Sequence, residues 1–229
     1  MSRRRNSLNE RAAVFAALGD PTRLTIAEEL SRSDRTPGEL IELTAVSSAL
    51  LAHHLEVLEA AGIIERTPSH ADGRKRFVRL LPQHRALLFT DAPPQDVVFV
   101  CTHNSARSQL AAALWTHLTG RRARSAGTQP ADRVHPRAVE VARHHGLDLR
   151  QARPSRLGTV ARGTTLVTVC DQAHVDIPLA LKRLHWSIVD PAAIGTVDAF
   201  EQTFTALTER IAPLAAQPTT NTSTKGAKK

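Results

Sequence analysis

The chain has 229 residues, a formal net charge of +8, two cysteines and no tyrosine. This length suits two small domains better than one, and two cysteines cannot build a disulfide framework. No apolar stretch approaches the roughly 20 residues of a membrane span, and no apolar signal core follows the first residues, so we expect a cytoplasmic protein without a membrane partner.

The positive charge is unevenly distributed along the chain. Residues 1–90 contain 13 basic and 11 acidic residues, a net charge of +2, which leaves +6 for the remainder. Net charge favours acidic partners in general but identifies none. Any DNA-binding function of the first half must therefore depend on where individual basic residues lie.

The first half predicts a helix-turn-helix. Helices are expected over 11–18 and from Asp20-Pro21 to Ser31, followed by a short helix over 37–43 and a longer one that Ser47 caps and that ends near Gly62. Leu51, Leu55 and Leu58 form the buried stripe of the longer helix, and His54 lies beside it as a packing residue. The opposite face is expected to enter the major groove of DNA; its predicted contacts are Ser47, Ser48, Ala49, Ala52 and His53.

Two strands, 63–67 and 75–81, should form a hairpin wing after this helix. Its basic residues are suited to phosphate contacts, and the alternative is that they only solubilise the hairpin edge. These residues are Arg74, Lys75, Arg76 and Arg79.

The phrases Gly19-Asp-Pro-Thr-Arg-Leu24 and His53-His-Leu-Glu-Val-Leu-Glu-Ala-Ala-Gly62 resemble the ArsR/SmtB-type winged-helix repressors over about residues 8–90. The resemblance implies a homodimer that binds a double-stranded DNA operator and releases it when an inducer binds. The cysteine pair that often binds inducer in that family is missing from segment 36–43. Scattered His70, Asp72 and His84 do not establish another site, so no metal site is predicted.

Residues 91–95 are the expected linker, since two prolines keep this segment extended. The predicted organisation is a winged-helix domain over 1–90, a second domain over 96–216 and a disordered basic tail over 217–229. We expect the two domains to move partly independently.

The second half alternates strands and helices. Strands are expected over 96–101, near 122–126, over 165–170 and near 185–189, with helices over 108–118 and 135–145, near 174–184 and over 196–212. This alternation predicts an α/β domain with a parallel sheet of about four strands and helices on both faces. Cys101, Cys170 and Asp190 all fall at strand ends, where ligands bind such sheets.

An apolar strand ending at Cys101 leads into a Cys-x5-Arg loop and a helix that opens near Ser108. Loop amides and a helix N-terminus together form an array of N–H donors that holds a tetrahedral anion, and a thiol beside it is favoured as the thiolate. Arg107 offers a planar fork for two anion oxygens, and Ser108 can hydrogen-bond the sulfur. The alternative is a structural cysteine at a strand end. The predicted oxyanion-binding residues are Thr102, His103, Asn104, Ser105, Ala106, Arg107 and Ser108.

This loop resembles the low-molecular-weight protein tyrosine phosphatases and the arsenate reductases that share their fold, over about residues 96–214. Further matches are Ser125-Ala-Gly-Thr, Val134-His-Pro-Arg, Arg153-Pro and Asp190-Pro191. The resemblance implies that Cys101 is the nucleophile, that Arg107 binds the anion and that Asp190 is the general acid. An Asp-Pro pair alone is more often a helix start.

Two features separate the branches of this family. Phosphatases commonly carry tyrosines after the Asp-Pro, where this chain has Ala192-Ala193, and Thr168-Val-Cys170-Asp-Gln-Ala resembles the arsenate reductases, in which a cysteine here attacks the arsenylated nucleophile. Thioredoxin-coupled members carry a further cysteine at the position of Ile177. Cys170 is therefore either a redox-active thiol or a buried bystander, and no bound cofactor is expected, only an external thiol reductant, either a small thiol or a redoxin.

Three functions remain open from the sequence. The first is a DNA-binding transcriptional regulator that is also an arsenate reductase, in arsenic resistance. The second is a phosphatase for phosphotyrosine or a small phosphate ester, fused to a regulator. The third is a non-catalytic repressor that senses an oxyanion or redox state. The expected substrate is accordingly an arsenate or phosphate oxyanion.

Overall fold

The computed structural model describes residues 7–88, 93–178 and 183–216. The predicted tail over 217–229 and linker residues 91 and 92 lie outside the described residues, so the predicted domain boundaries stay predictions.

The first part of the chain is a helix-turn-helix followed by a hairpin, as predicted. The helices α3 (Pro37–Thr44) and α4 (Ser48–Ala60) form the helix-turn-helix, with a bend of 109° between them, and the strands β1 (Ile64–Pro68) and β2 (Arg76–Leu80) pair antiparallel. No single helix of the described ranges is long and apolar enough to cross a membrane; α3 and α4 pass that test only as a bent pair. The elements are α1 (Leu8–Leu18), α2 (Pro21–Arg32), α3 (Pro37–Thr44), α4 (Ser48–Ala60), β1 (Ile64–Pro68), β2 (Arg76–Leu80) and α5 (Pro82–Leu88).

Side-chain caps explain why these helices start where they do. Asp20, Thr36 and Ser47 each accept a hydrogen bond from the backbone N–H three residues later. Such caps satisfy N–H groups that have no partner inside the helix. Ala45, with a φ of 54°, makes the turn between α3 and α4. The apolar faces then meet in one core that includes Ile26, Leu30, Leu40, Leu51, Leu58 and Val78.

The second part is an α/β unit whose four-stranded sheet is entirely parallel, which confirms the predicted fold class. Strand order is β4-β3-β5-β6. The helix α6 packs on β3 and β4, and α10 packs on α6. The elements are β3 (Val97–Cys101), α6 (Arg107–Thr119), β4 (Arg124–Gly127), α7 (Pro136–His144), β5 (Thr165–Thr168), α8 (Asp171–Asp176), β6 (Arg183–His185), α9 (Pro191–Ile194) and α10 (Val197–Ala215).

The helix predicted near 174–184 is wrong over the residues that the structure describes; its positions 179–182 lie outside them. The observed α8 begins at Asp171, because Cys170 caps it, and ends at Asp176. Ile177 is extended and precedes Pro178, and a residue before proline is disfavoured in the helical conformation. The strand predicted near 185–189 accordingly lies earlier, at β6.

The two parts of the chain share a buried polar interface, contrary to the expected independent movement. Both oxygens of Asp34 accept hydrogen bonds from Arg210, at 2.7 and 2.9 Å. The Asp34 amide donates to the carbonyl of His185, and the indole of Trp186 donates to the carbonyl of Arg32. Burial raises the pKa of Asp34, but the charge and hydrogen bonds of Arg210 outweigh this and the pKa is lowered. A buried carboxylate needs this partner, so separating the two parts would leave charges unpaired.

Candidate active site and DNA-facing surface

The carboxyl ends of β3 and β5 bring the two cysteines to one edge of the sheet. Cys101 is the last residue of β3, and Cys170 lies two residues after β5, which pairs with β3. Asp190 follows β6 at the same edge. The structure therefore brings together all four residues predicted to be catalytic: Cys101, Arg107, Cys170 and Asp190.

The sulfur of Cys101 is surrounded by hydrogen-bond donors. The amide of Asn104 donates to Sγ at 3.2 Å, and the hydroxyl of Ser108 lies 3.1 Å from Sγ. Cys101 is 2% exposed. These two contacts fix the position of the sulfur in the loop.

The loop that follows Cys101 turns its carbonyl groups away from the sulfur. The carbonyls of Cys101, Thr102 and His103 accept from the amides of Thr128, Gln129 and Ala131. The helix α6 then begins at Arg107, and its N-cap residue, Ala106, provides no side-chain hydrogen bond. The first N–H groups of a helix have no partner within it, so this end of α6 can bind an anion.

Asn104 stabilises the conformation of the loop after Cys101 through its side-chain hydrogen bonds. The sequence predicted only that it binds the oxyanion. Its φ of 48° is left-handed, a conformation that asparagine tolerates better than most residues. Its side-chain amide donates to Ser108 Oγ at 2.8 Å, while its Oδ1 accepts from the amide of Ser155 at 2.9 Å and from Gln109 at 3.1 Å. An asparagine in a tight anion-binding loop was the only signal available.

The buried Arg107 forms an ion pair with the half-buried Asp190. Arg107 Nη2 lies 2.8 Å from Asp190 Oδ2, and Nη1 donates to the carbonyl of Ile188 at 3.0 Å. Arg107 is only 6% exposed, so its guanidinium is held in place. Asp190 also accepts from the amide of Ala192 and caps α9, so the Asp-Pro pair starts a helix, and the catalytic role of Asp190 stays a prediction.

Cys170 lies close to the nucleophile loop. Its Sγ is 3.5 Å from the hydroxyl of Thr102, the residue after Cys101, and accepts from the amide of Ala173 at 3.4 Å. Burial raises the pKa of the Cys170 thiol. Burial therefore favours the neutral thiol form of Cys170.

The other residues predicted to bind the oxyanion differ in exposure. Asn104 and Ser108 are fully buried, Thr102 and Ala106 are buried and Ser105 is half-buried. His103 is exposed, so its side chain faces solvent and only its backbone belongs to the loop.

The residues predicted to contact DNA lie on exposed surfaces of α4 and of the wing. Ser47 also caps α4. Arg79 is an exception among the wing cations, because it pairs with Glu65 at 2.6 Å and lines a cavity of about 460 Å³ between the two parts of the chain. Arg79 is therefore not placed for a phosphate contact. The exposed set is Ser47, Ser48, Ala49, Ala52, His53, Arg74, Lys75 and Arg76.

One group of side chains in the described ranges has the donor atoms to hold a metal ion. His144, His145 and Glu201 place one ligand atom each within 4.8 Å of one another. The carboxylate already accepts hydrogen bonds from both rings, at 2.9 and 2.6 Å. The group lies on the surface, on α10 and at the end of α7, and shares no residue with the thiol site.

Two family models match the chain. Residues 96–224 match the low molecular weight phosphotyrosine protein phosphatase family, and residues 20–66 match the bacterial regulatory protein, arsR family.

One of two relatives is similar to the first part of the chain and the other to the second part. The HTH-type transcriptional repressor SmtB of Mycobacterium tuberculosis is 33% identical over 88 residues, which are 38% of this chain and 63% of SmtB. The chain thus spans less than two thirds of that relative. Arsenate reductase 2 of Staphylococcus epidermidis is 29% identical over 105 residues, 43% of this chain and 79% of the reductase.

Solved structures similar to the chain cover its second part. A YwlE mutant from Bacillus subtilis is 25% identical with a TM-score of 0.47, covering 53% of this chain and 96% of its own. The arsenate reductase of Archaeoglobus fulgidus is 29% identical with a TM-score of 0.46, covering 52% and 98%.

Proposed function

Since the chain belongs to the low-molecular-weight phosphotyrosine protein phosphatase family and carries an ArsR-type regulator domain ahead of it, we propose that it is a DNA-binding regulator that also reduces arsenate. The observation that supports this most is the second buried thiol, Cys170, 3.5 Å from the residue next to the nucleophile. Hydrolysis of a phosphate ester needs only water, whereas reduction of arsenate needs two electrons, which a pair of thiols can supply.

The first step is attack of the Cys101 thiolate on the arsenic atom. Arg107 and the amides at the start of α6 hold the arsenate oxygens, and charge that develops on them is stabilised by donors already in place. Asp190, 2.8 Å from Arg107, assists the departure of hydroxide. The product is an arsenic(V) ester on the Cys101 sulfur.

The second step transfers the electrons. The Cys170 thiolate attacks the Cys101 sulfur, the electron pair of the sulfur–arsenic bond passes to arsenic, and arsenite leaves as arsenic(III). A Cys101–Cys170 disulfide remains. An external thiol, either a small thiol or a redoxin, returns two electrons and restores both thiols, so no bound cofactor takes part.

The first part of the chain is proposed to bind a double-stranded operator as a homodimer in the cytoplasm. Leu8 and Phe15 on α1 and Leu87 on α5 are 75%, 60% and 53% exposed, an apolar surface that a second copy would cover. The exposed face of α4 would read bases, while Arg74, Lys75 and Arg76 would contact phosphates.

A phosphatase is the second candidate. Cys101, Arg107 and Asp190 suffice for hydrolysis of a phosphate ester through a covalent intermediate, and their geometry favours no substrate over another. The absence of tyrosine from the chain removes one common wall for an aryl ring.

The test is steady-state turnover of arsenate, with glutathione or with thioredoxin and its reductase, beside turnover of p-nitrophenyl phosphate. We expect arsenite production that both Cys101→Ser and Cys170→Ser abolish. Of the two cysteines, hydrolysis of the aryl phosphate should need only Cys101. Aryl phosphate turnover without arsenite from any donor would select the phosphatase, and no turnover of either substrate would select a non-catalytic sensor.

A further inference from the structure

The residue after Cys170 belongs to the interface with the wing. Cys170 caps α8 and Asp171 is its first residue, so one peptide bond separates the second thiol from this carboxylate. The Asp171 side chain is 1% exposed, so its oxygens depend on protein donors. Movement of Cys170 therefore acts directly on a buried charge.

The carboxylate of Asp171 holds the wing. Its Oδ2 accepts from the amide of His70 at 2.6 Å and from the hydroxyl of Ser69 at 3.0 Å. It also accepts from Ser187 at 3.1 Å, and its Oδ1 lies 3.1 Å from His185 Nε2. Burial raises the pKa of Asp171, but the hydrogen bonds from His185 and from the His70 amide outweigh this and lower it to about 2. Asp171 is thus an anion that fastens the hairpin to the sheet edge.

Contacts continue from Asp171 to the tip of the wing. Ser69 Oγ accepts from the amides of Ala71 and Asp72, both at 3.2 Å. Asp72 in turn accepts from the amide and side chain of Arg74, whose side chain is 91% exposed. The turn that presents this exposed arginine is therefore built on a serine that Asp171 holds.

A disulfide between Cys101 and Cys170 would disturb the hydrogen bonds that run from Asp171 to the tip of the wing. In the reduced protein, Cys170 Sγ accepts from the amide of Ala173 and caps a helix of six residues. A disulfide fixes the sulfur about 2 Å from its partner sulfur and restricts the torsion angles around it. Pulling Sγ towards Cys101 removes the cap from α8 and displaces Asp171 with it.

We propose that the bonding state of Cys170 sets the DNA affinity of the wing, and that Asp171 transmits it. This rests on the proposed function, because arsenate turnover forms the Cys101–Cys170 disulfide as arsenic(V) becomes arsenic(III). Each turnover would loosen the wing until an external thiol restores the two thiols. The reductase site would then serve as the sensor of the regulator.

The test forms the disulfide without arsenate. Diamide takes two electrons and two protons from the two thiols and becomes the hydrazine. Affinity is measured by fluorescence anisotropy on a short duplex selected from a random library by the reduced protein, and exchange of the His70 amide by mass spectrometry. We expect the disulfide to weaken DNA binding and to accelerate His70 exchange by about tenfold or more, the size expected from losing hydrogen bonds to a charged group.

Three variants and one control identify the residue that transmits the change. Cys170→Ser should bind DNA like the reduced protein and ignore diamide. Asp171→Asn should bind DNA weakly in both the reduced and the oxidised state. Ser69→Ala, which leaves the buried carboxylate in place, should show the same weak DNA binding. It therefore tests the proposal even if Asp171→Asn fails to fold. Asp176→Asn alters an exposed carboxylate of the same helix and should keep the full response.

Two results would overturn the proposal: diamide fails to join the cysteines, or the disulfide forms and leaves both DNA affinity and His70 exchange unchanged. If diamide changes DNA affinity and His70 exchange in Asp171→Asn and Ser69→Ala as much as in the wild type, Asp171 does not transmit the change to the wing. Since diamide replaces arsenate, a response without arsenate turnover would contradict only the reductase function, and turnover without a response would contradict only the coupling.

Discussion

At the scale of single residues, the reacting sulfur is positioned by groups that surround its loop. The backbone of Thr102 lies close to Gly127: a Cβ built on Gly127 would lie 2.7 Å from the Thr102 carbonyl oxygen. That distance is shorter than a side chain tolerates against a backbone atom. The glycine of Ser125-Ala-Gly-Thr therefore allows the close approach of the strand to the nucleophile loop.

Gly127→Ala should consequently displace the loop. We expect kcat/KM for arsenate and for p-nitrophenyl phosphate to fall by about a hundredfold, the cost of misplacing reacting groups by about 1 Å. Gly158→Ala is the matched control, since nothing lies within 4 Å of its added Cβ. Unchanged kinetics in Gly127→Ala would contradict the assigned contact.

The raised pKa of Cys170 predicts how arsenite release depends on pH. A thiol whose pKa lies above the usual value of about 8.5 is protonated at neutral pH, and its reactive fraction grows about tenfold per pH unit until that pKa is reached. The rate of disulfide formation after arsenate is added, followed by rapid quenching, should rise in this way. Aryl phosphate hydrolysis, which does not use Cys170, should lack this rise, and a pH-independent disulfide step would contradict the account.

Sequence reasoning found the residues of the site that form contiguous motifs. Cys101, Arg107 and Ser108 share one loop, so their proximity follows from the backbone. Asn104 was assigned only to the anion loop, because its hydrogen bonds to Ser155 and Gln109 appear only once the chain folds. Asp171 was only part of the motif around Cys170 and was given no role of its own, since Ser69 and His70 of the wing lie about 100 positions away.

At the scale of elements, capping residues and prolines explain which helix boundaries the sequence predicted correctly. The helices of the first part begin at Asp20, Thr36 and Ser47, residues whose capping preference is visible in the sequence. The helix expected near 174–184 ends instead at Asp176, because Ile177 precedes a proline and is extended. The wing was predicted correctly as a hairpin, but the pairing of Arg79 with Glu65 across its strands was not foreseen.

The wing gives a prediction about salt. Replacing Arg74 and Arg76 by alanine should weaken binding to every duplex sequence and reduce the slope of log affinity against log salt by about two, one for each lost phosphate contact. Arg122→Ala with Arg162→Ala removes the same charge from exposed positions in the second part and should leave the slope nearly unchanged. Equal slopes for the two double variants would contradict the wing assignment.

At the scale of the whole molecule, a buried ion pair joins the regulator part to the enzyme part, and each part contributes one of its two charges. Asp34 and Arg210 are 176 positions apart, and both are buried where the parts meet. No periodicity or motif marks either residue, so the sequence predicted two domains that move partly independently. The polar interface couples their stabilities, because opening it would expose an ion pair and several backbone hydrogen bonds.

Asp34→Asn should reveal this coupling. It leaves Arg210 buried without its carboxylate, and we expect a loss of about 3–5 kcal/mol in the free energy of unfolding. Urea denaturation followed by circular dichroism measures it. Asp148→Asn, which alters an exposed pair with Arg150, should change little. Equal stability of Asp34→Asn and wild type would show that the interface does not hold.

The most direct measurement of the central claim is a single turnover without any external thiol. Fully reduced protein mixed with excess arsenate should release one arsenite per chain, lose both free thiols and contain a Cys101–Cys170 disulfide by mass spectrometry. Cys170→Ser should release none. Both thiols remaining free and no arsenite formed, in a protein that hydrolyses p-nitrophenyl phosphate, would contradict arsenate reduction and leave a phosphatase in its place.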